Sequence, residues 1–298
     1  EYSITDGIVR IDPMIHAVLE GGGAAVGISD LMNVFGGLRF YTHALAAGLK
    51  PILGCDLKVI NSKDLNKPFR LGVLCMNHEG YHSLSVLLTK AFLTNNDAAR
   101  GLVDPKWFDD GGSEGLIALS GAAQGELGSL LLGKKWALAH EAAERFKAQF
   151  PGRFYVELQR AGRPTDELAT ARLANFAVEE QLPVVATHPI QFLKPEDFEA
   201  HEVRCSIAEG YTLQDPRRVK RYTPEQYLKS EAEMCELFAD IPAAIENTVE
   251  IAKRCNLDGV LSKPQLPLFP TPDGMSLDDY IDQLSKEGLQ KRLEFLYP

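Results

Sequence analysis

The chain has 298 residues, a formal net charge of −10, 45% hydrophobic and 24% charged residues. These values describe a globular chain with room for one large domain or two modest ones. They exclude two classes. No apolar run reaches the roughly 20 residues of a membrane-spanning helix, and the acidic balance excludes a broad electrostatic grip on DNA or RNA. No basic, apolar leader opens the chain, so a cytoplasmic location is expected. Glu1-Tyr2-Ser3 reads as the middle of a longer chain. Cys55, Cys75, Cys205, Cys235 and Cys255 are odd in number and lack C-x-x-C spacing. They read as buried thiols in a reducing compartment, not as disulfides or a zinc site.

In chain order, short apolar runs alternate with helical ones. Ala24 to Ser29 reads as a strand, Leu38 to Ala47 as a helix, Pro51 to Val59 and Leu71 to Cys75 as strands. Tyr81 to Phe92 is an amphipathic helix and Leu116 to Leu119 a strand. A helix from Lys135 to Phe150 stops at Pro151-Gly152. Phe154 to Leu158 is a strand, Asp166 to Gln181 a helix and Pro183 to Thr187 a strand. This β-then-α order predicts a parallel sheet or barrel. After Glu209 the pattern turns helical. Thr223-Pro224-Glu225-Gln226 predicts a helix start, Ser230 to Glu233 a capping box and Pro242 to Arg254 a further helix. Pro264, Pro267, Pro270 and Pro272 mark an extended linker, and Ser276 to Asp279 caps a last helix.

In such folds chemistry gathers at the carboxyl ends of strands. A hydrolytic metal site needs several His, Asp, Glu or Cys side chains converging there. Only Asp6, Asp30, Asp56 and His188 qualify, a thin set. A lone His188 reads as a structural, hydrogen-bonded histidine, and His16, His43, His78, His82, His140 and His201 as helix-surface or helix-end residues. Gly21-Gly22-Gly23 precedes a strand and reads as a turn, not a phosphate loop. Glu225 to Glu236 reads as a solvated helical face, and Tyr222, Tyr227, Leu237 and Phe238 as core.

Several motifs nevertheless carry a specific resemblance. They are Tyr2 to Gly7, Gly27 to Gly36, Lys50 to Asp56, Asn77 to Tyr81, Tyr222 to Tyr227, Glu236 to Pro242 and Ala252 to Cys255. In this order they resemble the polymerase-and-histidinol-phosphatase (PHP) domains that open the alpha subunits of bacterial replicative DNA polymerases. The resemblance implies an α/β fold, a distorted (β/α)7-type barrel over 1–209. A helical extension over 210–258 follows, then a Pro-rich linker and first helix (259–298) leading to the polymerase palm.

Metal-binding family members hold up to three metal ions, with an H-x-H motif upstream of the first of these motifs. Against that pattern, Leu31, Arg70, Ala122, Pro189 and Gln191 stand at ligand positions, and Asp56 replaces a Glu. Asp6 and Asp30 remain, with His188 at the start of the altered late motif. Leu offers no lone pair and Arg brings its own positive charge. Arg70 is expected to pair with Asp6, Asp30 or Asp56 inside the pocket. The implied function is a catalytically inactive, metal-free scaffold of a DNA-directed DNA polymerase, docking a proofreading exonuclease subunit. Mg²⁺, DNA and deoxynucleotides belong to the parent enzyme, and no membrane is involved. A still-active metal phosphoesterase or 3′→5′ exonuclease is the alternative, and an error-prone paralogue of the polymerase a third.

Overall fold

Apolar runs bounded by turn residues become strands, and 3.6-periodic stretches become the helices that cover them. The computed structural model describes residue 2 and residues 6–94, 101–258 and 269–297. The order is α1 (Ile11–Glu20), β1 (Ala25–Leu31), α2 (Gly37–Ala46), β2 (Lys50–Val59), β3 (Phe69–Cys75), α3 (His78–Thr94) and β4 (Leu116–Leu119). Then come α4 (Glu126–Leu132), α5 (Trp136–Gln149), β5 (Phe154–Gln159), α6 (Asp166–Glu179), β6 (Val184–Thr187) and α7 (Phe198–Glu209). Helices α8 (Glu231–Leu237), α9 (Pro242–Arg254) and α10 (Leu277–Leu296) complete the described chain.

The strands form one sheet in the order β1-β2-β3-β4-β5-β6. The β1–β2, β4–β5 and β5–β6 pairs are parallel. Strand β3, however, runs antiparallel to both neighbours, which the β-then-α pattern did not predict. The reason lies in the β2–β3 connection, Ile60 to Pro68, where a polar, turn-rich segment replaces a crossover helix. Asn61 caps it, accepting from the Lys63 amide at 3.1 Å and donating to the Lys67 carbonyl at 3.0 Å.

The curled sheet is drawn together at one end by three segments. The Ile8 amide donates to the Gln191 carbonyl (2.8 Å), and the Gln191 amide donates to the Gln226 carbonyl (2.9 Å). Phe192 and Tyr227 form a parallel bridge, and the Leu228 amide donates to the Phe192 carbonyl (3.1 Å). These bonds explain why no helix starts at Thr223. The backbone of 226–228 is committed sideways to 191–192, and the Thr223 hydroxyl donates to the Ala161 carbonyl. The capping signature survives as an isolated turn, with the Thr223 amide donating to Gln226 Oε1 at 3.1 Å. The second capping box does start a helix, α8: Ser230 Oγ accepts from the Glu233 amide and Glu233 accepts from the Ser230 amide.

Helices α1, α4 and α7 are also absent from the sequence reading. Helix α1 begins without a side-chain cap, and α4 has only 7 residues. Helix α7 buries His201, Glu202 and Ser206 and exposes Val203 and Ile207, the reverse of the usual amphipathic pattern, so no apolar period marks it. His201, read as a surface residue, is fully buried on α7, its ring edge-on to Tyr222 at 4.6 Å.

The main core lies between sheet and helices, with Phe40, Phe150, Phe176 and Phe238 fully buried. Cys55 and Cys75 join it, Cys255 lies in a second, smaller core, Cys205 is buried elsewhere and Cys235 is exposed, all five as free thiols. Burial, with Cys255 alongside, pushes the Cys75 thiol up to about 12, and burial pushes Cys255 up to about 11. Neither is a thiolate at neutral pH. Among the described residues no helix is long and apolar enough to cross a membrane.

The chain divides into two units, 1–260 and 261–298. In the second, Ser276 caps α10, its Oγ accepting from the Asp279 amide (3.1 Å), and Phe269 packs on Tyr280 with ring centroids 6.1 Å apart. The linker prolines Pro264 and Pro267 lie outside the described residues.

Within the first unit, Arg160 clamps the end of β5 to the α8–α9 corner. Its guanidinium donates to both Asp240 carboxylate oxygens (2.6 and 2.8 Å) and to the Leu237 carbonyl (2.6 Å), and it lies over the Phe238 ring. Bidentate, charge-assisted bonds are the strong ones. Replacing Arg160 with Ala is expected to lower the unfolding free energy by about 2 kcal/mol. Urea melts check this, with Arg160→Lys recovering only part because ammonium cannot match the fork.

Candidate functional site

The inner ends of the strands surround a cavity of about 420 Å³. Of the residues singled out from sequence, Asp6, Asp30, Leu31, Asp56, Arg70, His188, Pro189 and Gln191 line it. Ala122 does not. It is buried (3% exposed) in the 3₁₀ turn after β4. The wall between the polar groups is apolar, from Ile28, Leu74, Leu119 and Ile190 among others.

Asp56 sits on β2 opposite Gly72 of β3. Its Oδ1 accepts from Ser29 Oγ at 3.4 Å, and its Oδ2 lies 3.7 Å from Arg70 Nη1. Arg70 therefore turns into the cavity and pairs with Asp56, at a separation that is an ion pair more than a hydrogen bond. The Asp56 side chain keeps 45% of its surface exposed, toward a cavity that opens in part to solvent. Burial pushes the Asp56 carboxyl above the usual range; Arg70 and Ser29 pull it down, while Asp6 and Asp30 push it further up.

Glu157 is the functional-looking group that sequence reasoning passed over. It lies in a strand of buried residues and is itself 6% exposed. Its Oε2 accepts from the Gly121 amide at 2.9 Å, and its Oε1 accepts from Gln159 Nε2 at 3.0 Å and from the Thr187 hydroxyl. Burial, then the charge of Asp56, holds its carboxyl above the usual range, against those hydrogen bonds. An acid inside the run Phe154-Tyr155-Val156-Glu157-Leu158 was the one available signal, since a buried carboxylate must have partners. Gly121 is a glycine for a geometric reason. At φ +77° it turns so tightly that a Cβ would lie 2.2 Å from the Arg70 carbonyl oxygen.

Asp6 is engaged, and His188 is engaged through one ring nitrogen, its Nδ1 being buried without a hydrogen-bond partner. Asp6 Oδ2 accepts from the Tyr222 hydroxyl at 2.7 Å. His188 Nε2 donates to the Glu225 carbonyl at 2.7 Å, and burial keeps its imidazole below the usual range, hence neutral at pH 7. Gln226, 2% exposed, donates from Nε2 to the Pro189 carbonyl at 3.0 Å. Among the described residues, no group of three or more His, Cys, Asp or Glu is arranged to hold a metal ion. The donors present do not fit a multinuclear hydrolytic centre: a guanidinium, a leucine and a proline share the wall with acids already bonded elsewhere.

The raised Asp56 carboxyl has a consequence for stability. The folded chain keeps this proton at pH values where the unfolded carboxyl, at about 3.9, has lost it. The native state therefore binds more protons, and stability falls as pH rises above about 4. Asp56→Asn removes that dependence. Urea midpoints of the two proteins should be closest near pH 4, with the gap moving in favour of Asn by about pH 7.5. A pH-independent gap contradicts the assignment.

Residues 1–161 match the family model described as PHP domain. Over all of this chain, the DNA polymerase III subunit alpha of Neisseria meningitidis serogroup B is 49% identical, that of Pseudomonas fluorescens 45% and that of Escherichia coli K12 43%. The chain spans about a quarter of the length of these relatives (25–26%). Among solved structures, an amidohydrolase from Chromobacterium violaceum aligns with a TM-score of 0.39 at 12% identity, covering 61% of this chain and 82% of that one. Likeness at that level carries no functional weight. The family match spans more than half of the sequence and contains the cavity residues from Asp6 to Glu157, and by it this chain belongs to the PHP domain family.

Proposed function

We propose that this chain is the PHP-domain portion of a DNA polymerase III alpha subunit, and that it works as a scaffold without chemistry of its own. The identity of 43–49% to such subunits over the whole chain carries the first half of this reading. The parent enzyme would extend a DNA strand with deoxynucleotides, using Mg²⁺ held by residues beyond this chain. The cavity supports the second half. Phosphoryl transfer needs concentrated positive charge and a polarised water. Among the described residues, Arg70 is the cationic side chain on the cavity wall and is paired with Asp56, and Asp6 and Glu157 accept internal hydrogen bonds. What remains is a braced shell. Its partners would be the rest of the polymerase chain and a proofreading exonuclease subunit. No observation favours a residual phosphoesterase.

Two measurements on the 298-residue chain test this. Titration with the proofreading subunit at low salt is expected to give a saturable complex. In the presence of Mn²⁺ or Zn²⁺, release of nitrophenol from a nitrophenyl phosphate should stay at the buffer rate. Absence of binding removes the docking role. Metal-dependent turnover that Asp56→Asn abolishes removes the scaffold reading.

A further inference from the structure

Helix α7 presents an outer surface that the barrel does not use. Its inward side carries His201, Glu202, Cys205 and Ser206, all buried. The opposite side of a surface helix is normally polar. Here it carries Val203, 38% exposed, and Ile207, 75% exposed, and the chain continues into Leu213, 38% exposed. With Tyr211 these side chains line a shallow groove of about 530 Å³. A clustered, exposed apolar surface of this kind marks an interaction site more often than a scattered leucine does.

The lining of the groove is uncharged, and exposed cationic side chains follow it in the chain, although the net charge of the whole is −10. The Arg217 guanidinium lies 5.5 Å from the centre of the Tyr211 ring. Its side chain is 76% exposed, whereas its partner Asp215 is 15% exposed. Arg221 repeats the arrangement, 60% exposed against 23% for Glu209, and Lys220 is exposed as well. In each pair the carboxylate is recessed and the guanidinium faces outward, so an approaching group meets positive charge first. The groove is also preformed. Arg218 and Glu202 make a buried ion pair at 2.5 Å beneath it, and the Tyr211 amide donates to the Ser206 carbonyl at 2.9 Å. A rigid groove loses little entropy when it is filled.

We infer that the outer face of α7 and the turn after it dock a short peptide segment of a partner protein, in which apolar residues are flanked by aspartates or glutamates. Charge selects this occupant. A second copy would set the same cationic side chains against themselves across a two-fold axis. An anionic membrane or a nucleic acid would meet the net negative charge of the whole chain over a much wider surface. A peptide is small enough to feel mainly the local charges.

The probe is a short fluorescent peptide alternating leucine and phenylalanine with aspartate and glutamate, titrated into the 298-residue chain and followed by anisotropy. A twin with lysine at every acidic position is the comparison. The acidic peptide should bind about tenfold or more tightly than its twin, and added salt should weaken it. Ile207→Asp, and independently Leu213→Asp, should each weaken binding about tenfold. Both sites are exposed, so melting temperature should be unchanged. The double variant Arg217→Glu, Arg221→Glu should reverse the preference between the peptides. Equal binding of the two peptides, or indifference to all these variants, overturns the inference. So does a dimer in sedimentation that Ile207→Asp dissolves, which would make the occupant a second copy.

Discussion

The barrel end depends on one set of hydrogen bonds, those that residues 222–228 make with segments far from them in sequence. Tyr222 reaches Asp6, Thr223 reaches Ala161, and the Gln226 side chain and backbone reach Pro189 and Gln191. Each is modest alone, about 1 kcal/mol net. Together they satisfy backbone groups that would otherwise be buried without partners. They also fix three walls of the cavity at once: the amino-terminal segment, the end of β5 and the loop after β6. The helical region is thus part of the barrel's closure as well as a covering layer.

That closure explains the chemistry of the pocket. Asp6 and His188, the donors best placed to survive as ligands, are the ones the closing segment engages. Arg70 supplies positive charge beside Asp56. Glu157 is turned into a structural acceptor that holds the Gly121 turn and the end of β6. The raised carboxyls of Asp56 and Glu157 show that this compensation is incomplete, because burial outweighs the partners present. A pocket that retains acids without a full complement of cations contributes stability only as far as those acids keep their protons.

Much of the fold was legible because strand runs such as Leu116 to Leu119, flanked by turn residues, have few other readings. Helix α9 was legible from Pro242 in its first turn and its basic end. Strand polarity was not legible, since the direction of β3 depends on what the β2–β3 connection lacks. The turn at Thr223 was misread because local capping chemistry is the same whether or not a helix follows. Long-range pairing decided the outcome, as it did for Tyr222 and Asp6, 216 residues apart. At the site, Asp30, Asp56 and His188 were legible from their places at strand ends, whereas Leu31, Arg70, Pro189 and Gln191 came from the resemblance to PHP domains, which also offered Ala122, a residue off the cavity wall. The engagement of the cavity residues was not legible, and neither was Glu157, whose buried role depends on donors from three different segments.

The central claim is that the side chains lining the cavity, with Arg70 paired to Asp56, make no metal centre. Calorimetric titration of the 298-residue chain with Zn²⁺ and with Mn²⁺ at neutral pH, repeated on Asp56→Asn, addresses it directly. The account predicts no stoichiometric uptake, no rise in melting temperature with added metal, and no difference between the two proteins. One or more equivalents bound tightly to the parent chain and lost on Asp56→Asn would contradict it.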